Sequence, residues 1–201
     1  GKEFATLLFS LEKKLQQLFY TQNPILLAPS SATGIMEAAI RNLVSKKVLC
    51  LCNGGFSDRW YDISLLNGKQ ADKIVADWGT AIKPEDVDKA LATGTYDALT
   101  LVHNESSTGI LNPLAEIAAV IKKYPDVVFI VDAVSSLGAV KIEVDKLGID
   151  VCLAGVQKAL GVPPGLSIFS LSKKAIDKAK TVLNRGYYFD FIEMLSYLQK
   201  G

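Results

Sequence analysis

A chain of 201 residues has room for one domain of ordinary or slightly large size with a real hydrophobic core. Hydrophobic residues make up 49% of it and charged residues 21%, which excludes a disordered chain, and a formal net charge of +1 leaves no electrostatic case for a nucleic-acid or membrane partner. Cys50, Cys52 and Cys152 are odd in number and fall in apolar runs, so buried free thiols in a reducing compartment explain them better than disulfides, and with a single histidine a zinc site is short of partners.

The first predicted element is an amphipathic helix, because Phe4, Leu7, Leu8, Leu11, Leu15, Leu18 and Phe19 recur at three- and four-residue steps with Lys and Gln between them. Strand-like runs then alternate with helical stretches: strand 25–28, helix 35–44, strand 48–52, helix 58–66 and strand 71–76. A helix opens at Pro84-Glu85-Asp86, since proline in a first turn beside acids is a start signal. Strand 98–102, helix 114–123, strands 127–131, 150–154 and 166–171 and a basic helix from Lys173 follow, while 187–199 mixes aromatics with Leu and has no clear end. Alternating βα units of this length predict a three-layer α/β/α sandwich with a mostly parallel sheet. No repeat, low-complexity segment or linker divides residues 1–201, which read as one domain. Gly1-Lys-Glu-Phe carries no signal-peptide pattern and no apolar run approaches about 18 residues, so the expectation is a cytoplasmic protein without a membrane span.

Two residues stand out. Asp132 ends the apolar run 127–131, which reads as a buried parallel strand whose carboxylate emerges at its C-terminal end, where open α/β sheets bind ligands. Lys158 is the one charge in the stretch 152–172, and its apolar flanks are expected to strip it of water and favour a neutral, nucleophilic amine. An anionic partner for a pyridine nitrogen and an amine for a Schiff base are what pyridoxal phosphate (PLP) chemistry requires.

Three further segments have both a plain and a functional explanation. Ser30-Ser31-Ala32-Thr33-Gly34 lies between a strand and a helix, so it is either an ordinary cap or an anion site on a helix N-terminus; no Gly-Lys-Ser/Thr follows, which excludes a P-loop. Phe56, after Cys52-Asn-Gly-Gly, is either a core aromatic or a cover for an aromatic ligand. His103-Asn-Glu-Ser-Ser-Thr-Gly109 concentrates polar side chains beyond what a solvated loop needs, although a lone histidine is a weak sign of catalysis. All of these features fall at C-terminal ends of strands on one edge of one sheet, and that coincidence argues for a single site.

Through these segments the chain resembles the class V, fold-type I PLP-dependent aminotransferases of the serine–pyruvate/alanine–glyoxylate group. The resemblance runs through Ser31-Ala-Thr-Gly-Ile-Met-Glu-Ala-Ala39, Asn53-Gly-Gly-Phe-Ser-Asp-Arg59, His103–Gly109, Val131-Asp-Ala-Val-Ser-Ser-Leu-Gly138 and Gln157-Lys-Ala-Leu-Gly-Val-Pro-Pro-Gly165. It implies the large domain of that fold. It implies that Lys158 forms a Schiff base with PLP and that Asp132 keeps the pyridine nitrogen protonated. Phe56 would stack on one ring face and Val134 on the other, Ser31, Ala32, Thr33 and Gln157 would hold the phosphate, and Ser106 would approach the ring hydroxyl. The family often has Gly where Ala32 stands, and the extra methyl requires a negative φ there.

The reaction so implied is a ping-pong transamination between a small amino acid and a 2-oxo acid such as glyoxylate or pyruvate, with the Lys158 amine shuttling the proton. The resemblance also implies a homodimer in which the neighbouring subunit completes each phosphate site. Against the family pattern the chain begins late and stops early, so it reads as the cofactor-binding domain of a longer enzyme, lacking the small domain that brings the substrate-carboxylate arginine. Arg41 falls in a helix and Arg59 in a turn motif, and neither they nor Arg185 is expected to substitute, so turnover by this chain alone is expected to be poor. A related PLP reaction such as cysteine desulfuration, which needs a mobile cysteine, and a non-catalytic PLP-fold module are the alternatives.

Overall fold

A computed structural model describes residues 1–200. The chain begins as α1 (Lys2–Phe19), β1 (Ile25–Ala28), α2 (Ala32–Leu43), β2 (Lys47–Cys52), α3 (Gly55–Leu66), β3 (Gln70–Val75), α4 (Pro84–Leu91) and β4 (Ala98–Val102). A small hairpin, β5 (Asn104–Glu105) and β6 (Ile110–Leu111), precedes α5 (Leu114–Ile121), β7 (Val128–Asp132), α6 (Val144–Leu147), β8 (Val151–Gly155), β9 (Ser167–Leu171), α7 (Lys173–Thr181) and α8 (Phe191–Lys200).

Seven of the strands form one sheet in the order β1-β9-β8-β7-β4-β2-β3. Neighbouring pairs from β8 across to β3 are parallel. Strand β9 is antiparallel to both β8 and β1, so β1 runs the same way as β8. The consequence for function is geometric: the chain leaves β1, β2, β4, β7 and β8 at one edge of the sheet. That edge carries every segment singled out above.

Alternation along the strands produces the three layers. Leu49, Leu51, Leu99, Leu101, Phe129 and Val131 join a core covered by α1, α4 and α5. Val48, Cys50, Ala98, Val128 and Ile130 join a second core covered by α2, α3, α7 and Phe191 of α8. All five residues of β7 are buried, as expected of a strand covered on both faces. Asp132 is in phase with Val128 and Ile130, and so faces the layer that holds α2 and α3.

The differences from the sequence reading have local causes. Helix α3 starts at Gly55, three residues before the expected start, because a side chain distant in sequence, Glu105, caps it. Arg59, expected at the very start of a helix and within a turn motif, therefore lies a full turn inside α3. The polar loop 103–109 folds into the β5–β6 hairpin, whose two-residue strands are too short to show alternation. The connection from β8 to β9 is an irregular segment with no helix, which is what allows β9 to return antiparallel.

All three cysteines are free and buried. Burial pushes the Cys50 thiol up to about 11 and raises those of Cys52 and Cys152 as well. Among the described residues no cluster could hold a metal ion and no helix is long and apolar enough to cross a membrane.

Candidate active site

A cavity of about 290 Å³ opens at the shared edge of the strands, and Ser31, Ala32, Thr33, Phe56, Ser106, Asp132, Val134, Gln157 and Lys158 all line it. Every residue assigned to the site from sequence is thus brought to one place. Met36, Arg59, Val102, Asn104 and Ser135 complete the wall. A larger groove of about 750 Å³ lies between α1, β1 and α8, but it is lined mostly by apolar side chains such as Phe4, Leu8 and Leu26 and carries no comparable chemistry.

One wall is the start of α2. Ser31 is its N-cap, with φ −68° and ψ 158°, yet the Ser31 side chain makes no capping bond. The preceding loop is held from outside: Ser167 of β9 donates its hydroxyl to the Ser30 carbonyl at 2.9 Å. Ser31, Ala32 and Thr33 at the start of α2, with the positive end of its dipole, border the cavity, an arrangement suited to an anion. Ala32 is the first helical residue, and among the described residues the only non-glycine with positive φ is Tyr20, so the condition placed on Ala32 is met.

The floor is Asp132, which is 4% exposed. Its Oδ1 accepts the Val134 amide at 3.0 Å, and its Oδ2 accepts a long bond from Trp60 Nε1 at 3.4 Å. Burial pushes this carboxyl up to about 6; the two donors oppose the rise, the Glu105 charge adds to it and the Arg59 charge reduces it. Among the described residues no cation pairs with the carboxylate. A buried acid without a cationic partner, lining a cavity, fits a ligand that presents a cationic N–H, and the pyridine ring of PLP is such a ligand. The α2 terminus fits its phosphate.

Phe56 and Val134 line the cavity from α3 and from the turn after β7. The height of Phe56 is set by Glu105, a residue sequence reasoning missed. The Glu105 side chain is wholly buried and accepts the Ser57 amide at 2.8 Å and the Phe56 amide at 3.3 Å, together with the Ser107 amide and hydroxyl. Burial raises its carboxyl, but these donors outweigh that and hold it below the usual range. Gly54 permits this approach, since a Cβ there would sit 2.5 Å from Glu105 Cγ. Asn104 and Ser106, on either side of Glu105, line the cavity, and the Ser106 hydroxyl contacts that of Ser135.

One expectation needs correction. Lys158 is exposed, so its apolar flanks do not strip it of water. The segment that carries it projects from the sheet: Gly161 N–H bonds back to the Lys158 carbonyl, and Val162 and Leu166 are themselves 45% and 40% exposed. Gln157 is exposed as well, its Oε1 folded to 2.6 Å from where a Cβ on Gly155 would stand. His103, in turn, is buried outside the cavity wall, with Nδ1 3.0 Å from Ser136 Oγ; burial pushes it down to about 4, so it is a neutral structural group.

The whole chain, residues 1–201, matches the family model for Aminotransferase class-V. It is 38% identical over 205 residues to an uncharacterized aminotransferase of Methanocaldococcus jannaschii, an alignment that covers 99% of this chain and 52% of that protein. An alanine–glyoxylate aminotransferase from Nostoc sp. superposes with a TM-score of 0.93 at 31% identity, over 98% of this chain and 54% of that one. An aspartate aminotransferase from Thermus thermophilus superposes with a TM-score of 0.90 at 32% identity, over 100% of this chain and 56% of that one. The chain spans about half the length of the curated relatives it matches.

Proposed function

We propose, from the premise that this chain belongs to the class-V aminotransferase family, that it is the PLP-binding large domain of a transaminase acting between a small amino acid and a 2-oxo acid. The observation that carries the proposal is Asp132: an acid 4% exposed, unpaired with any cation, in the same cavity as Lys158 and the N-terminus of α2. PLP, when bound, supplies an electron-accepting ring conjugated with the carbon that loses its proton.

In this reading the chain's residues bind, orient and move protons. The Asp132 carboxylate holds the proton on the pyridine nitrogen. The first turn of α2, with Ser31, Ala32 and Thr33, binds the phosphate, assisted by Gln157. Phe56 and Val134, which line the cavity, would hold the ring, and Ser106 would donate toward the ring hydroxyl. Lys158 Nζ would anchor the cofactor and, once the substrate amine displaces it, would be free to take the proton from substrate Cα, a role suited to an exposed amine on a projecting segment.

The donor and acceptor assignment is narrower. Serine or alanine with glyoxylate or pyruvate agrees with the relative named alanine–glyoxylate aminotransferase, while the aspartate enzyme shows that related chains carry other names. We place the substrate-carboxylate arginine outside this chain. Arg59 lines the cavity but is engaged by Thr33 Oγ1 and the Phe56 ring, Arg185 is engaged by Asp190, with Nε 3.0 Å from Oδ1, and Arg41 pairs with Glu37. A homodimer in the cytoplasm completes the proposal, the free thiols fitting a reducing compartment. A cysteine-dependent desulfuration is disfavoured within this chain because all three thiols are locked in strands. The test is to incubate the purified chain with PLP, reduce with borohydride and map the adduct by mass spectrometry. A single pyridoxyl group on Lys158 is expected; labelling scattered over surface lysines would contradict the assignment.

A further inference from the structure

Arg59 is the cavity residue whose part is least explained by the proposed chemistry, and its contacts are specific. It lies on α3 three residues after Phe56, so the two side chains share a face of the helix. Its guanidinium carbon stands 4.9 Å from the Phe56 ring centroid. Its Nη1 donates to Thr33 Oγ1 at 3.1 Å, across the cavity wall on α2. The next residue, Trp60, is the indole donor to Asp132. One planar cation therefore joins the helix that carries Phe56 and Trp60 to the first turn of α2.

We infer that Arg59 is a positioning residue of the proposed cofactor site: by spanning Phe56 and Thr33 it sets the gap between the ring-facing aromatic and the phosphate-facing helix start. The inference rests on the PLP reading above. A bidentate, planar group suits the task, because it can lie flat on an aromatic face while one edge donates a hydrogen bond; an ammonium offers a point charge and cannot do both equally well. The alternative that Arg59 merely stabilises the fold conflicts with its position. Its side chain is on the exposed rim of the cavity, where a single cation–π contact and one hydrogen bond contribute little to global stability.

The test uses the full chain and four variants, Arg59→Met, Arg59→Lys, Thr33→Val and the double variant Arg59→Met/Thr33→Val. Equilibrium binding of PLP and of pyridoxal, which lacks the phosphate, is followed by tryptophan quenching, with thermal melting of the ligand-free proteins as the control. Arg59→Met is expected to weaken both ligands by about threefold to tenfold, Arg59→Lys less, with melting temperatures within about 1 °C of wild type. In the double variant the two losses are expected to fall short of additive, because each single change already breaks the same link. Additive losses, or unchanged affinity for both ligands, would overturn the inference. A loss confined to PLP with pyridoxal unaffected would make Arg59 a direct phosphate ligand and overturn it too. A wild-type chain that takes up no PLP would overturn the proposed function and this inference together, whereas a wild type that binds while Arg59→Met binds equally well overturns only the inference.

Discussion

Asp97 and Asp150 at the N-terminal edge of the strands and Asp132 at the C-terminal edge are each 4% exposed, but the groups around them differ. Asp97 accepts the Ser45, Lys46 and Lys47 amides and the Ser45 hydroxyl, and Lys178 Nζ stands 2.7 Å away. Asp150 accepts the Phe129 amide and the Ser172 hydroxyl and pairs with Lys174 at 2.8 Å. Asp132 has one good donor, one long one and no cation. Burial raises both Asp97 and Asp132; Lys178 and the amides reverse the effect at Asp97, while nothing does so at Asp132. Equal surface exposure thus goes with opposite outcomes, Asp132 being the deeper of the two as well as the one without a cation. The acids at one edge tie loops to strands, and the acid at the other is held with its charge uncompensated, as a cation-binding site requires.

The largest effect expected at the functional edge is from Lys158→Arg, which should abolish the borohydride-stabilised adduct outright, since a guanidinium stays protonated and cannot form a Schiff base. Persistence of a single-site adduct in the variant would move the nucleophile elsewhere. At the opposite edge, Asp97→Ala should cost about 3 kcal/mol in urea unfolding, because it strands three amides and leaves Lys178 without its partner. Asp97 is held below the usual carboxylate range, so its contribution is present at neutral pH and is lost as pH falls through that depressed value.

Asp132→Asn should do the reverse to the ligand-free chain. The folded carboxyl is pushed up to about 6, so folding favours the protonated acid, and the ionised form becomes a burden as pH rises from 3.8 to about 6. Above that range the asparagine variant should be the more stable by about 1–3 kcal/mol, with the gap closing at pH 4, while its retention of PLP falls. Equal stability at pH 8 would break the contrast between the two edges. The smallest effect concerns the thiols: Cys50, Cys52 and Cys152 should stay unlabelled by a thiol reagent in the native protein and react only on unfolding.

Much of this was legible in the sequence because it rests on local patterns. The uniformly apolar 127–131 run predicted a strand covered on both faces, and β7 is one. The order of strands and helices predicted the layers, and all the assigned site residues share one cavity. What escaped was set by contacts far apart in the chain. Glu105 caps a helix 48 residues away, which moved the start of α3 and put Arg59 a full turn inside it rather than at its edge. Lys158 was misread because apolar neighbours in sequence were equated with burial, whereas the segment after β8 turns outward. The reversal of β9 was equally invisible, since a buried strand reads alike in either direction.

The proposed site depends on the state of one carboxyl. Carbon-13 NMR titration of the aspartate side chains in the ligand-free chain, repeated with PLP, tests it most directly. The prediction is that Asp132 titrates near pH 6 and Asp97 below the ordinary carboxylate range, and that PLP holds Asp132 ionised through the same window while Asp97 does not move. An Asp132 midpoint at the ordinary carboxylate value, unchanged by PLP, would contradict the claim that this edge of the sheet holds an acid in wait for a cationic ring.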